Sequence, residues 1–130
     1  MAVSVEIRDE RTGGGVSRIH RLELPERTTL RALIQTRVRE EVAGYNLAPG
    51  TNFNGLVSPV DAEETLNGYR LPAPRRLDWE EQARVAVDAF GRNGFFVIVG
   101  DRQVDDLDEE LDLTADTEIR FLRLTPLVGG

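Results

Sequence analysis

Val3-Ser4-Val5-Glu6-Ile7-Arg8 alternates apolar and polar residues with period two, which predicts a half-buried strand. Residues 9–15 end in Gly13-Gly14-Gly15 and read as a turn, since glycine tolerates the positive φ that hairpin loops demand. Residues 16–24 predict a second strand, with Ile19, Arg21 and Glu23 on one parity and Arg18, His20, Leu22 and Leu24 on the other. The two form an N-terminal hairpin. A phosphate loop is not expected at the glycines, because a strand-like segment follows them and no Lys-Ser/Thr is present.

Pro25-Glu26-Arg27 breaks the second strand, and Thr28 or Thr29 offers a hydroxyl to cap a helix. Leu30, Leu33, Ile34, Val38 and Val42 then recur at helical spacing, with Arg31, Arg37, Arg39, Glu40 and Glu41 mainly on the other side and Gly44 as the stop. Residues 45–77 hold Pro49, Pro59, Pro72 and Pro74 and show no sustained period, so a loop-rich insertion is expected, with a short helical turn near residues 61–66. Asp78 and Glu81 form a capping-box-like start to a second helix, carried on by Trp79, Ala83, Ala86 and Phe90 and ended by Gly91. Trp79 is read as a packing anchor in preference to a binding residue.

Phe95-Phe96-Val97-Ile98-Val99 is a continuous apolar run, the pattern of a buried strand. Gly100-Asp101-Arg102 turns the chain into a short strand at Gln103-Val104. Residues 105–111 are acidic with apolar anchors at Leu107 and Leu111; they lack the spacing of a calcium loop and read as a solvated connection. Residues 118–124 are the last strand, with Ile119, Phe121 and Arg123 on one face, and Thr125-Pro126-Leu127-Val128-Gly129-Gly130 is a tail.

Composition narrows the chemistry. A chain of 130 residues fits one domain with its own core. No cysteine is present, which excludes disulfides, thiolate metal sites and a cysteine nucleophile, and the lone His20 makes a catalytic zinc site a poor expectation. A net charge of −7 argues against nucleic acid and suits a basic partner surface. No apolar run is long enough for a membrane span and no secretory pattern opens the chain, so a cytoplasmic protein is expected. All 16 basic residues are arginine. Codon bias in a GC-rich genome explains this blandly; the functional alternative is that the chain offers no ε-amine for acylation, leaving only the N-terminal amine.

The element order, strand-strand-helix, insertion with helix, three strands and a Gly-Gly tail, resembles the ubiquitin-like β-grasp family and its prokaryotic members. The closing Phe121-Leu122-Arg123-Leu124-Thr125-Pro126-Leu127-Val128-Gly129-Gly130 is similar to the ends of the sulfur carriers, the molybdopterin-synthase small subunit and the thiamine-pathway carrier, and the acidic Val104-Asp105-Asp106-Leu107-Asp108 also resembles them. The resemblance covers roughly the first 44 residues weakly and the last 36 well, and leaves out residues 45–94. It implies an α+β fold in which a mixed sheet packs on a helix, one β-grasp domain over residues 1–126 with the insertion at about 45–94, and a flexible tail at 127–130.

The resemblance also implies that the chain is a substrate or carrier and not an enzyme. An adenylating, ubiquitin-activating-like enzyme would use ATP to activate the Gly130 carboxylate, and no cofactor or metal would be held by the chain itself. The acyl-adenylate would pass to a target-protein amine, making a bacterial protein modifier, or to sulfur, making a thiocarboxylate carrier for a sulfur-accepting enzyme. Gly129 and Gly130, without Cβ atoms, would thread a narrow channel and leave the carbonyl unhindered. Pro126 would stiffen the base of the tail. Phe121, Arg123, Pro126, Leu127 and Val128 would serve tail and partner docking. With Gly130 as the encoded end, no protease would be needed to expose the carboxylate. The competing reading is a non-covalent interaction module for which the glycines are dispensable. An independent hydrolase has little support, since no nucleophile and base are paired.

Overall fold

The N-terminal alternation folds into a long hairpin. In a computed structural model of the protein, which describes residues 1–65 and 68–124, strand β1 (Ala2–Arg11) pairs antiparallel with β2 (Gly15–Pro25), from Ala2↔Pro25 to Arg11↔Gly15. Gly13 and Gly15 supply left-handed turn backbone at φ of 76° and 70°. A bulge between Asp9 and Glu10 shifts the register, so that Val16 stands opposite Glu10 and Ile19 opposite Arg8.

The chain divides into two compact units, Met1–Leu33 with Phe90–Gly130, and Ile34–Ala89. Its class is α+β, with a mixed sheet and two helices, α1 (Leu30–Leu47) and α2 (Trp79–Gly91). In the first unit β7 (Phe96–Val99), β8 (Arg102–Val104) and β10 (Glu118–Arg123) join the hairpin in a five-stranded sheet of order β2-β1-β10-β7-β8. Strand β10 runs parallel to β1 from Glu6↔Glu118 to Arg11↔Arg123, and antiparallel to β7. Val5, Ile7, Leu22, Leu24, Val97, Val104, Ile119 and Phe121 are buried along one face, as the alternation predicts. The Phe95 ring lies 5.7 Å from Phe90 and 5.8 Å from Phe121, a spacing that suits tilted aromatic pairs.

Strand β2 ends at Pro25, as expected, but the chain enters another strand directly after Glu26, and the end of the expected acidic connection is a strand as well. Arg27–Thr29 forms strand β3 and Glu110–Asp112 forms β9, paired antiparallel in a second small sheet. Arg27 Nε lies 3.2 Å from Asp112, which holds the guanidinium above its ordinary pKa. Strands of three residues are too short to show a period of two, which is why neither was legible. The β3–β9 pairing leads directly into α1: the Thr29 hydroxyl accepts the Ala32 N–H at 3.1 Å, as an N-cap does. The Leu30 and Arg31 N–H groups donate to the Glu109 and Leu107 carbonyls at 3.2 and 2.9 Å, so the open first turn finds its acceptors in the acidic segment.

In the second unit α1 continues through Gly44 to Leu47 instead of stopping. Tyr45 and Asn46 anchor the extra turn: the Tyr45 hydroxyl donates to the Gly50 carbonyl at 2.6 Å, and the Asn46 amide exchanges two bonds of 2.9 Å with the Leu77 backbone. These contacts offset the roughly 1 kcal/mol that an interior glycine costs. Arg37 and Glu41, expected on the polar side, are instead a buried pair at 3.3 Å, with side chains 2 and 9 % exposed. Glu41 Oε1 also accepts the Leu56 N–H at 3.1 Å.

The loop-rich expectation for residues 45–77 is refined by a three-stranded sheet, β4 (Asn52–Phe53), β6 (Gly68–Arg70) and β5 (Glu63–Thr65) in the order β4-β6-β5. The helical turn expected at 61–66 is therefore replaced by β5; Leu66 itself lies outside the described residues. Asp78 caps α2 by accepting the Glu80 N–H at 3.0 Å. Trp79 is not a buried anchor: it is 36 % exposed and lies under the Arg39 guanidinium at 5.2 Å.

Candidate docking face beside the C-terminal strand

The central place of β10 determines what its neighbours can present. Side chains of successive strand residues point to opposite faces, so the residues opposite the buried set share the outer face of the five-stranded sheet. In register these are Glu118, Arg120 and Leu122 on β10, Glu6, Arg8 and Glu10 on β1, and Phe96 and Ile98 on β7. Arg21, Ile19 and Val16 extend the row on β2. The apolar members are only partly covered: Phe96, Ile98 and Leu122 are half-buried, Val16 is 44 % exposed and Ile19 is 53 % exposed. Ile98 stands opposite Arg120, and Phe96 opposite Leu122.

Arg8 and Arg120 face one another across the parallel pair, a like-charge contact that would be unfavourable alone. Carboxylates on both strands relieve it. Arg8 Nε lies 3.0 Å from Glu6 and 3.8 Å from Glu118, and Arg120 approaches Glu10 at 3.9 Å and Glu118 at 4.0 Å. Arg120 Nε makes no hydrogen bond among the described residues. The face thus combines an aliphatic-aromatic patch over β7 and β10 with a charge lattice over β1 and β10. A sheet face of this kind can dock another protein through its apolar centre, with the charges fixing orientation.

Phe121, expected as a docking residue, is 1 % exposed and packs against Phe95, so it serves the core and is not open to a partner. Arg123 is half-buried, and its carbonyl accepts the Thr12 N–H at 3.1 Å, fastening the end of β10 to the first hairpin turn. Leu124, at the last described position, is 53 % exposed. Pro126, Leu127, Val128, Gly129 and Gly130 lie outside the described residues. The expectation of a fully buried strand at 95–99 concealed Phe96 and Ile98 as surface residues. Their parity relative to Val97 would have exposed them had the open outer face been assumed.

Elsewhere two pairs of titratable groups are defined. His20 Nε2 lies 3.5 Å from Asp9 across the hairpin, on the side away from the outer face. Arg102 donates to Glu109, which holds that carboxyl below its ordinary range. Among the described residues no cluster of histidine and carboxylate side chains is suited to hold a metal ion, and no helix is long and apolar enough to cross a membrane. Comparison of the chain with protein-family models, with curated proteins and with solved structures finds no match.

Proposed function

We propose that the protein is a ubiquitin-like β-grasp protein whose Gly130 carboxylate is activated by an adenylating enzyme. The observation that carries this reading is the sheet order β2-β1-β10-β7-β8, in which the last strand lies parallel to the first at the centre of the sheet. That order is compatible with a β-grasp, and in the amino-acid sequence the Gly129-Gly130 tail follows this strand.

In the proposed chemistry the Gly130 carboxylate attacks the α-phosphorus of ATP, and pyrophosphate leaves. The resulting acyl-adenylate then loses AMP to an incoming amine or sulfur nucleophile. With an amine the product is a conjugated protein; with a sulfur donor it is a terminal thiocarboxylate, handed on to a sulfur-accepting enzyme. The activating enzyme docks on Phe96, Ile98, Leu122 and Leu124, and Arg123 with residues 126–128 leads the tail toward the nucleotide. The setting is proposed to be the bacterial cytoplasm.

Mass spectrometry of the tagged protein from its native host tests the reading. Trypsin cuts after Arg123, so a conjugated lysine is expected to carry residues 124–130 as a remnant, whereas a carrier shows one oxygen of Gly130 replaced by sulfur. Ile98→Arg with Leu122→Asp is expected to abolish either product while the protein still folds. An unmodified C-terminus under every growth condition, with no remnant on any lysine, would overturn the proposal in favour of a non-covalent docking module.

A further inference from the structure

Strand β2 ends the five-stranded sheet, and no strand among the described residues pairs with its outer edge. A sheet edge presents unpaired N–H and C=O groups, and proteins commonly keep such edges short. The opposite edge of this sheet is short, with only Arg102–Val104 in β8. Strand β2 is long: it runs through 11 residues, Gly15–Pro25. Val16, Ile19, Arg21, Glu23 and Pro25 are all exposed along it.

The backbone shows which groups point outward. The Glu26 N–H donates to the Met1 carbonyl at 3.1 Å, one step beyond the Ala2↔Pro25 pair. Antiparallel bonds alternate along a strand, so Leu24, Leu22 and His20 turn their backbone groups to β1. Ile19, Arg21 and Glu23 turn theirs to the open edge, together with the Pro25 carbonyl. Pro25, which has no N–H to donate, thus sits where an edge strand tolerates proline.

The side chains select the occupant. Arg21 and Glu23 are opposite charges two residues apart on the outer face, where Arg21 Nε and Nη2 also bond Ser4 at 2.9 and 2.8 Å. A strand with this pattern is complementary to itself when reversed. Two copies that keep their outer faces on one side must pair residues of equal parity. Centring the pair on Leu22 sets Arg21 opposite Glu23 of the second copy, twice by symmetry, and Ile19 opposite Pro25. Centring it on Arg21 or on Glu23 faces like charges with each other. Centring it on His20 leaves Arg21 opposite Ile19 and Glu23 opposite Ser17.

We propose that β2 pairs antiparallel with β2 of a second copy about a two-fold axis at Leu22. Arg21 and Glu23 exchange both backbone bonds across the edge and pair their charges. The Ile19 N–H donates to the Pro25 carbonyl of the second copy, whose ring covers the exposed Ile19 side chain. One strand per copy buries little surface, so the association is weak and reversible. It is independent of the chemistry proposed for Gly130.

Sedimentation of the full chain over a rising concentration series tests the pairing, and monomer is expected to pass into dimer. Amide exchange is expected to slow at Ile19, Arg21 and Glu23 as the dimer forms, but not at His20 or Leu22, which β1 already protects. Glu23→Arg alone and Arg21→Glu alone are each expected to weaken self-association by at least roughly tenfold, since each sets like charges opposite one another twice. Mixed in equal amounts, the two variants are expected to regain a dimer close to the parent's affinity, because every arginine then faces a glutamate. Both positions are exposed, and a urea midpoint near the parent's checks that each variant folds. A chain that stays monomeric at every concentration, a dimer indifferent to the charge reversals, or variants that do not recover on mixing would rule the pairing out. So would exchange that slows at these amides only when a different protein is bound, which would give the edge to an extended segment of that protein.

Discussion

Replacing Glu41 by glutamine tests the reading of the Ile34–Ala89 unit most directly. Glu41 joins helix α1 to the insertion by accepting from Arg37 at Oε2 and from the Leu56 N–H at Oε1. Glutamine has the same shape and keeps a carbonyl for Leu56. Its amide nitrogen, however, would face a guanidinium that is 2 % exposed. Removing one member of a buried pair costs about 3–5 kcal/mol. Arg37 has further polar contacts, which places the expected loss at the low end, about 3 kcal/mol. For a chain of this size that corresponds to a fall in Tm of roughly 10 °C. Urea unfolding followed by circular dichroism would measure the loss, and hydrogen exchange at the Leu56 amide would locate it. Arg37→Met with Glu41→Gln removes both charges, keeps a carbonyl for the Leu56 N–H, and should return to within about 1 kcal/mol of the parent. A Glu41→Gln protein within about 0.5 kcal/mol of the parent, an ordinary surface effect, with Leu56 still protected, would refute the reasoning.

Gly55→Ala should lower stability by about 1–3 kcal/mol, as overpacking does, because the added Cβ would run into the ring of Phe53, itself 3 % exposed; an unchanged urea midpoint would contradict this. Glu109→Gln tests the pH dependence. Arg102 lowers the Glu109 pKa in the folded protein below its ordinary 4.5. The contribution is therefore complete above about pH 4.5 and lost as pH falls through the lowered folded value. The substitution should flatten part of the acid limb of a stability-pH curve and leave its slope above pH 5 unaltered, and an acid limb identical to the parent's would count against the pair.

Elements with many residues and a regular period were legible in the amino-acid sequence. The alternation of Val5 and Ile7 and the helical spacing of Leu30, Leu33, Ile34, Val38 and Val42 mark faces that are buried in the structure. The capping residues Thr29 and Asp78 were legible because an N-cap is a local bond between neighbours. Strands β3, β4, β5, β6 and β9 were not, because two or three residues show no period, and β3 and β9 are in addition selected by partners distant in sequence, such as Asp112 for Arg27. Arg37 was misread for a related reason. Its charge argues for solvent, and only the position of Glu41 beside it and of Leu56 beyond it makes burial tolerable.

The candidate docking face shows how a partly correct reading hides surface residues. Phe95-Phe96-Val97-Ile98-Val99 is apolar throughout, and an unbroken apolar run is what a strand covered on both sides requires. The structure covers one side: Phe95 and Val97 are 2 and 0 % exposed, whereas Phe96 and Ile98 are half-buried on the other. An apolar residue on an open sheet face has no role in that strand's core. Two such residues stand beside Leu122, bordered by an arginine-carboxylate lattice, and make up the apolar part of the candidate face. Phe121 errs in the opposite direction: a terminal strand suggests exposure, but a strand inserted at the centre of the sheet has one face committed to the core. The topology thus moves the candidate docking position from Phe121 to Leu122 on β10 and to Phe96 and Ile98 on β7.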